Sequence, residues 1–258
     1  MGFFGDGFIF WVLGIIAAIS LVVGYLAKRQ HDKRWREMSE LAVGLGFDYY
    51  PEGLAKQPDG FFESLLLNVS ACPLIDQLVG FEPFGSGYGE AVDNLLVKQQ
   101  DGLSIYVMDY YYKTRDGSGK NESERTHRYT VVAIRHGLIW PHLRLSPEGF
   151  AHKVGKMFGM KDLSFESEEF NQKYFVSSND EKSTYDILHP QCIDLLLRLP
   201  AREWQAGGMY LLVYESGYMS PQGIRRVLQD MHDFISLVPD YVRQDRGFEP
   251  KWTGALDF

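Results

Sequence analysis

Cysteine is nearly missing from this chain: two in 258 residues, Cys72 and Cys192, far apart and with no partner at metal or redox spacing. That scarcity excludes a disulfide framework and a thiolate-held metal, and in a reducing compartment leaves both thiols as small buried hydrophobes. Catalytic motifs are equally scarce. No G-x-S-x-G nucleophile elbow occurs, and Cys192 and His189 stand too close in sequence to imply a dyad. Gly85-Ser86-Gly87-Tyr88-Gly89 lacks the G-x-G-x-x-G spacing of a dinucleotide turn, and a strand rather than a helix is expected after it. Gly117-Ser118-Gly119-Lys120-Asn121 imitates the end of a phosphate loop. It lacks the glycine five residues before Gly119, and Asn121 stands where magnesium binding needs Ser or Thr. His127, His136, His142 and His152 gather in one region without a helical i, i+4 pair. His136 and His142 flank an expected bend, which leaves a two-histidine site open beside the simpler reading of hydrogen-bonded histidines. No cofactor, metal or catalytic residue is expected, and the chain reads as a non-enzyme.

Charge is missing altogether from Phe8 to Ala27, FIFWVLGIIAAISLVVGYLA. As a helix rising 1.5 Å per residue these residues span about 30 Å, the thickness of a bilayer's hydrocarbon layer. A cleaved signal peptide needs a basic start, a shorter apolar core and a small-x-small site, none of which is present. The expected organisation is an outer N-terminus at 1–7, a transmembrane helix at 8–27, a basic juxtamembrane helix at 28–46, a soluble domain at 47–243 and a tail at 244–258.

The five cations that follow the span, Lys28, Arg29, Lys33, Arg34 and Arg36, suit anionic lipid headgroups. Their one-sided placement puts the N-terminus outside and the C-terminal domain in the cytoplasm of a single-pass protein of a bacterial inner membrane. The remainder of the chain is acidic, so nucleic acid is not an expected partner. Around the span, Gly14, Ala17, Ala18, Ser20 and Gly24 fall within an arc of about 160°. Small residues on one face admit a second helix, from another transmembrane protein or a second copy. The competing reading is that membrane helices simply tolerate Gly and Ala.

Helical spacing continues through Trp35, Met38, Leu41, Ala42 and Leu45 to a stop at Gly46, and a short helix is possible at 61–70. Residues 80–90 read as a loop. Strands then dominate: Leu95–Gln99 and Leu103–Lys113 about a Gln-Asp-Gly turn, then Arg128–Arg135 after a mobile polar loop at 114–126. Leu138–Leu145 contains Pro141 and so is placed at a sheet edge. Ser146-Pro147 is expected to open a helix carrying Phe150, Val154, Met157 and Phe158. Beyond it come strands at 161–165 and 173–177 about a turn at Phe170-Asn171, a helix capped by Asn179 or Asp180, and another from Pro190. A hairpin across Gly207-Gly208 follows, then the longest soluble helix, opened by Ser220-Pro221. Leu145-Ser-Pro-Glu-Gly-Phe150 and Met219-Ser-Pro-Gln-Gly-Ile224 echo each other, as two related units or as one helix-start chemistry used twice. Phe248, Trp252 and Leu256 in the tail are unexplained apolar residues.

Alternation along Leu103–Lys113 sets Tyr106, Met108, Tyr110 and Tyr112 on one face, a candidate surface for a partner or ligand unless the protein's own helix covers it. Asp109 falls on the other face among Leu103, Ile105 and Val107. It should be paired there, with Arg128 or His127, or lie at a strand end in water.

Several short stretches carry a resemblance: Leu45-Gly46-Phe47, Val107-Met108-Asp109-Tyr110 with Tyr112, Thr130-Val131-Val132, Ser146-Pro147-Glu148-Gly149, Phe170-Asn171 with Tyr174 and Val176, and Leu188-His189-Pro190. In these the soluble portion resembles a group of uncharacterised bacterial membrane-anchored proteins with a domain of unknown function. The resemblance implies an anchored cytoplasmic α+β domain and brings no activity or site residue. The resulting reading is an α+β domain of antiparallel strands with helices packed on one face, tethered by a single N-terminal transmembrane helix. Its expected role is a non-catalytic accessory or scaffolding subunit of a larger membrane assembly. The alternative is a tethered cytoplasmic sensor binding a small molecule.

Overall fold

A computed structural model describes residues 5–53, 73–100, 102–117, 122–148 and 161–245. The expected helix at 61–70, the apolar stripe at 150–158 and the tail from 246 lie outside these residues. The chain divides into two compact units, 1–41 and 42–258.

Helix α1 runs from Gly5 to Leu45 without a break, merging the expected span and juxtamembrane helix. Its apolar stretch from Trp11 to Leu26 is exposed throughout. It is long and apolar enough to cross a membrane, by length and composition. At its other end Gly46 adopts φ +67°, and the Phe47 amide donates to the Ala42 carbonyl at 2.9 Å. This is the left-handed glycine stop the sequence calls for.

The second unit is built on a seven-stranded antiparallel sheet: β1 (Asp48–Tyr50), β2 (Tyr88–Gln100), β3 (Leu103–Asp116), β4 (Ser123–Pro147), β5 (Lys161–Leu163), β6 (Tyr174–Ser178) and β7 (Glu203–Ser216). The order is β1-β2-β3-β4-β6-β5, with β7 also paired to β4. β4 is the organiser. Its first half pairs with β3 from Asp116↔Ser123 to Ser104↔Arg135, and its last residues, Leu143–Pro147, pair with β6. β7 runs along its other edge for both halves.

Five local expectations change here, four of them because long-range pairing overrides a local signal. The two strands expected at 128–135 and 138–145 are one 25-residue strand. Pro141 therefore sits in a central strand, tolerated because the β4–β7 register shifts on either side of Trp140 and leaves an irregular stretch that demands no amide there. The hairpin at Gly207-Gly208 is a kink within β7 that matches this irregularity, Gly208 lying opposite Trp140 with φ +53°. A Cβ on Gly207 would lie 2.7 Å from the His142 ring, so only glycine fits. The polar tract 114–126 is largely ladder, held by cross-strand pairs such as Lys113–Glu124 at 2.8 Å. Finally, Phe170-Asn171 belongs to a short helix.

That helix is α3 (Glu168–Lys173), capped by the Ser167 hydroxyl. The others are α2 (Pro73–Leu78), α4 (Glu181–Ile187), α5 (Pro190–Arg198), α6 (Pro221–Ser236) and α7 (Asp240–Asp245). Asp180 caps α4 and Ser220 caps α6, as their sequences require. The Lys173 ammonium donates to the carbonyls of Leu196, Leu197 and Leu199, closing the C-terminus of α5.

Helices lie against both faces of the sheet rather than one. α2 and the turn after it cover the face carrying Met108, Tyr110 and Tyr112. α6 covers the other, its Phe234 ring 5.5 Å from Trp204. A two-sided cover explains why β3 is buried on both faces instead of alternating with water.

Candidate functional site

The small residues of α1, Gly14, Ala17, Ala18, Ser20 and Gly24, are all exposed, and a Cβ at Gly14 or Gly24 would meet nothing within 4 Å. Lys28, Arg29, Lys33 and Arg36 are exposed as well, whereas Arg34 is buried. Lys33 pairs with Glu37 one turn on.

The tyrosine face is interior. Met108, Tyr110 and Tyr112 form a core with Leu74, Ile75 and Leu78 of α2 and with Phe81 and Phe84, and Tyr106 is half-buried at its edge. Phe84 and Tyr110 are in ring contact at 4.5 Å, Tyr112 and Tyr129 at 6.0 Å, and Tyr129 and Tyr214 at 5.9 Å. Burial pushes the Tyr110 and Tyr214 phenols well above their ordinary range, so they remain neutral.

Asp109 is buried and hydrogen-bonded. Its carboxylate accepts from the Asn94 amide at 2.9 Å and from the Thr130 hydroxyl at 3.0 Å. Thr130 is its cross-strand neighbour, and its hydroxyl also accepts from the Met219 amide, 3.0 Å away. Asn94 takes the left-handed region at φ +50°, in the β2 bulge, and its side-chain oxygen accepts from Tyr49 at 2.6 Å. The network ties β1, β2, β3, β4 and the entry to α6 together. Asn94→Asp keeps the shape but sets a second carboxylate against Asp109. The expected loss is about 2–3 kcal/mol at pH 7. One proton shared by the pair has a folded pKa above the unfolded one, so stability returns below about pH 4 and is lost as the pH rises. Chemical denaturation across pH checks this, and Asn94→Asp/Asp109→Asn should restore a workable pair.

His136 and His142 have separate surroundings. The His136 ring accepts from the Leu138 amide at 3.2 Å and packs 4.5 Å from Trp140, whereas His142 lies beside Phe81. Among the described residues no group of three His, Cys, Asp or Glu is placed to hold a metal. Burial lowers the His136 pKa to about 3. The unfolded chain binds a proton there near 6.5, so stability falls as the pH drops below 6.5, by about 2 kcal/mol at pH 5. His136→Asn keeps a side-chain acceptor two residues before the Leu138 amide. It should match the parent at pH 7.5 and lose this acid sensitivity in pH-dependent melts.

Cys192 and His189 do meet, Sγ to Nε2 at 3.4 Å. The same Nε2 lies 2.8 Å from the Leu237 carbonyl, so it carries the proton and donates it there. It cannot take one from the thiol. Burial moreover pushes the Cys192 thiol up to about 12, and no nucleophile results.

Sequence reasoning missed the densest polar cluster. Arg144, buried on β4, donates to Glu82 at 2.9 Å and to Glu203 at 3.4 Å, and its Nε donates to Ser146 at 2.9 Å. The Tyr214 hydroxyl lies 3.3 Å from both Arg144 and Glu82, and Ser146 donates to Glu203 at 2.7 Å. Gln205 brackets the Glu82 backbone, accepting from its amide and donating to its carbonyl at 3.1 Å each. The cluster clamps the segment after α2 to the sheet. Its one sequence signal is a cation inside Leu143-Arg144-Leu145, where alternation buries both neighbours. Ser146 is a strand residue paired with Phe175 and bonds within this cluster; the helix it was expected to cap lies outside the described residues.

A second missed feature is a groove of about 610 Å³ between the loop preceding α3, the end of α4 and the start of α5, with Phe165, Tyr185, Leu188 and Ile193 among its walls.

No protein-family model matches the chain, and no curated protein matches it. Among solved structures it is similar to the crystal structure of the mycobacterial trehalose monomycolate transport factor A, TtfA, with a TM-score of 0.53 and 14% identity over 80% of this chain and 96% of that one. At that identity the likeness concerns the fold.

Proposed function

We propose that this chain is a non-catalytic, membrane-anchored accessory subunit of a larger membrane assembly. The observation that carries the reading is the run from Trp11 to Leu26, an apolar helix surface exposed along its whole length. Water would not tolerate it, and a bilayer accounts for it. The basic collar after the span favours a single pass of a bacterial inner membrane, N-terminus outside, with the acidic domain in the cytoplasm. Exposed Gly14, Ala17, Ala18, Ser20 and Gly24 offer a second transmembrane helix close approach. The fold shared with a mycobacterial transport factor supports a transport assembly as the setting. The inert Cys192–His189 pair and the enclosed Asp109 favour a role without chemistry.

Photo-reactive residues placed at Ala17 and Ala18, followed by purification from native membranes and mass spectrometry, test this. A defined adduct with another membrane protein or a second copy, absent when the probe sits at Ile16, is the expected result. Adducts with lipid alone would overturn it.

A further inference from the structure

The walls of the groove at the α4–α5 corner are held in place by their own contacts. Asn171 of α3 grips Phe165 at both backbone ends, accepting from its amide at 2.9 Å and donating to its carbonyl at 2.7 Å. The Phe165 ring stands edge-on to Phe170 at 5.3 Å and to Tyr185 at 5.0 Å. The Tyr185 hydroxyl donates to the Ser164 carbonyl at 3.0 Å, and His189 bonds the Leu237 carbonyl at 2.8 Å. An aromatic wall and a helix start fixed in this way lower the entropic cost of binding. The volume of about 610 Å³ falls within the range of about 300–1,000 Å³ usual for binding pockets.

The chemistry of the walls points to the occupant. Phe165, Tyr185, Leu188 and Ile193 supply apolar surface, and the carboxylates of Glu166 and Asp194 stand exposed beside it. Among the described residues neither carboxylate has a hydrogen bond or an ion pair. The start of α5 contributes the opposite sign, about half an elementary charge, which two whole carboxylates outweigh. Aromatic faces and carboxylates together attract Lys or Arg. The negative charge also runs on past the groove through exposed Glu168 and Glu169. That is further than one small cation could use, and it suits a segment of chain with several.

We propose that this groove docks a basic segment of a partner protein. One large apolar side chain of the segment lies between Phe165, Leu188 and Ile193, and an adjacent Lys or Arg lies against Glu166 and Asp194. The inference rests on the accessory-subunit reading and deepens it, giving the partner a contact on the soluble unit besides the one in the membrane.

A displayed library of random short peptides, offered to the full-length chain in nanodiscs, tests it. Tyr185→Arg, which sets a cation of the chain's own at the aromatic wall, serves for counter-selection. Enriched peptides should pair a large apolar residue with Lys or Arg. A synthetic copy should bind the parent about tenfold more tightly than it binds Glu166→Gln/Asp194→Asn, an exposed pair whose replacement leaves thermal melting unchanged. Its binding should also weaken several-fold as salt is raised. Enrichment of acidic or uncharged peptides, or none beyond that on Tyr185→Arg, would overturn the proposal. Binding of arginine naphthylamide without any enriched peptide would make the groove a small-molecule site and overturn it too. Crosslinks from Ala17 and Ala18 read the membrane contact independently, so failure of the groove and failure of the accessory-subunit reading are told apart.

Discussion

Arg144→Met is expected to destabilise the folded unit by about 3–5 kcal/mol at pH 7.5, the cost of removing one partner from a buried ion cluster. The Arg144 side chain is 4% exposed, and it stands between Glu82 and Glu203. Without it two carboxylates and the Tyr214 hydroxyl are left facing one another. The sign of the pH dependence follows. Burial already raises the Glu203 carboxyl above its ordinary value, and the guanidinium opposes that rise. Removing the guanidinium moves the folded pKa further above the unfolded one. Such a group favours the fold below its unfolded pKa, near 4.3, and loses that contribution as the pH rises. The deficit should therefore be small near pH 4.5 and complete at pH 8. Glu203→Gln added to Arg144→Met should recover about 1–2 kcal/mol at pH 7.5, because the amide still accepts from Ser146 and carries no charge. Thermal melts of the detergent-solubilised chain across pH measure both effects. A deficit independent of pH would mean that lost packing, not charge, is what Arg144→Met exposes.

Ile16→Arg/Ile19→Arg is expected to take the protein out of the membrane fraction. Both isoleucines lie mid-span and are more than half exposed. Each arginine at the centre of a spanning helix costs about 2.5–3.5 kcal/mol on the insertion scale, so the pair costs about 5–7. That is enough to reverse insertion of a segment whose apolar residues contribute only tenths of a kcal/mol each. Alkaline extraction and flotation of membranes provide the measurement: the parent chain floats with lipid, and the double variant stays at the bottom of the gradient. A variant that still floats would place the membrane attachment elsewhere in the chain.

The elements that were legible in the sequence are those whose signals are local. The Gly46 stop, the Asp180 and Ser220 caps and the close return from Gln100 to Leu103 each need only neighbouring residues, and each stands where its chemistry put it. The errors share a cause in partners distant in sequence. Leu145-Ser-Pro-Glu-Gly and Met219-Ser-Pro-Gln-Gly carry the same helix-start chemistry, and among the described residues Ser220 caps α6 while Ser146 closes β4. Ser146 is taken by Arg144 and Glu203, 57 residues away in the latter case. Pro141 and Gly207-Gly208 read as breaks because each breaks a regular ladder. Paired in register, their irregularities coincide and let β4 and β7 run on. Beyond the cation between Leu143 and Leu145, the Arg144 cluster was hidden for the same reason: Glu82, Arg144 and Glu203 belong to three separate segments, and no spacing in sequence announces their meeting. Asp109 was correctly expected to need a partner. An asparagine and a threonine bond it, the β2 bulge turning Asn94 inward.

Protease accessibility in spheroplasts of an expressing bacterium tests most directly the claim that a lipid-embedded rod holds this acidic unit on the inner side. With protease outside, the account predicts that residues 42–258 stay intact and are digested only after detergent opens the membrane. Digestion of that unit in sealed spheroplasts would contradict it.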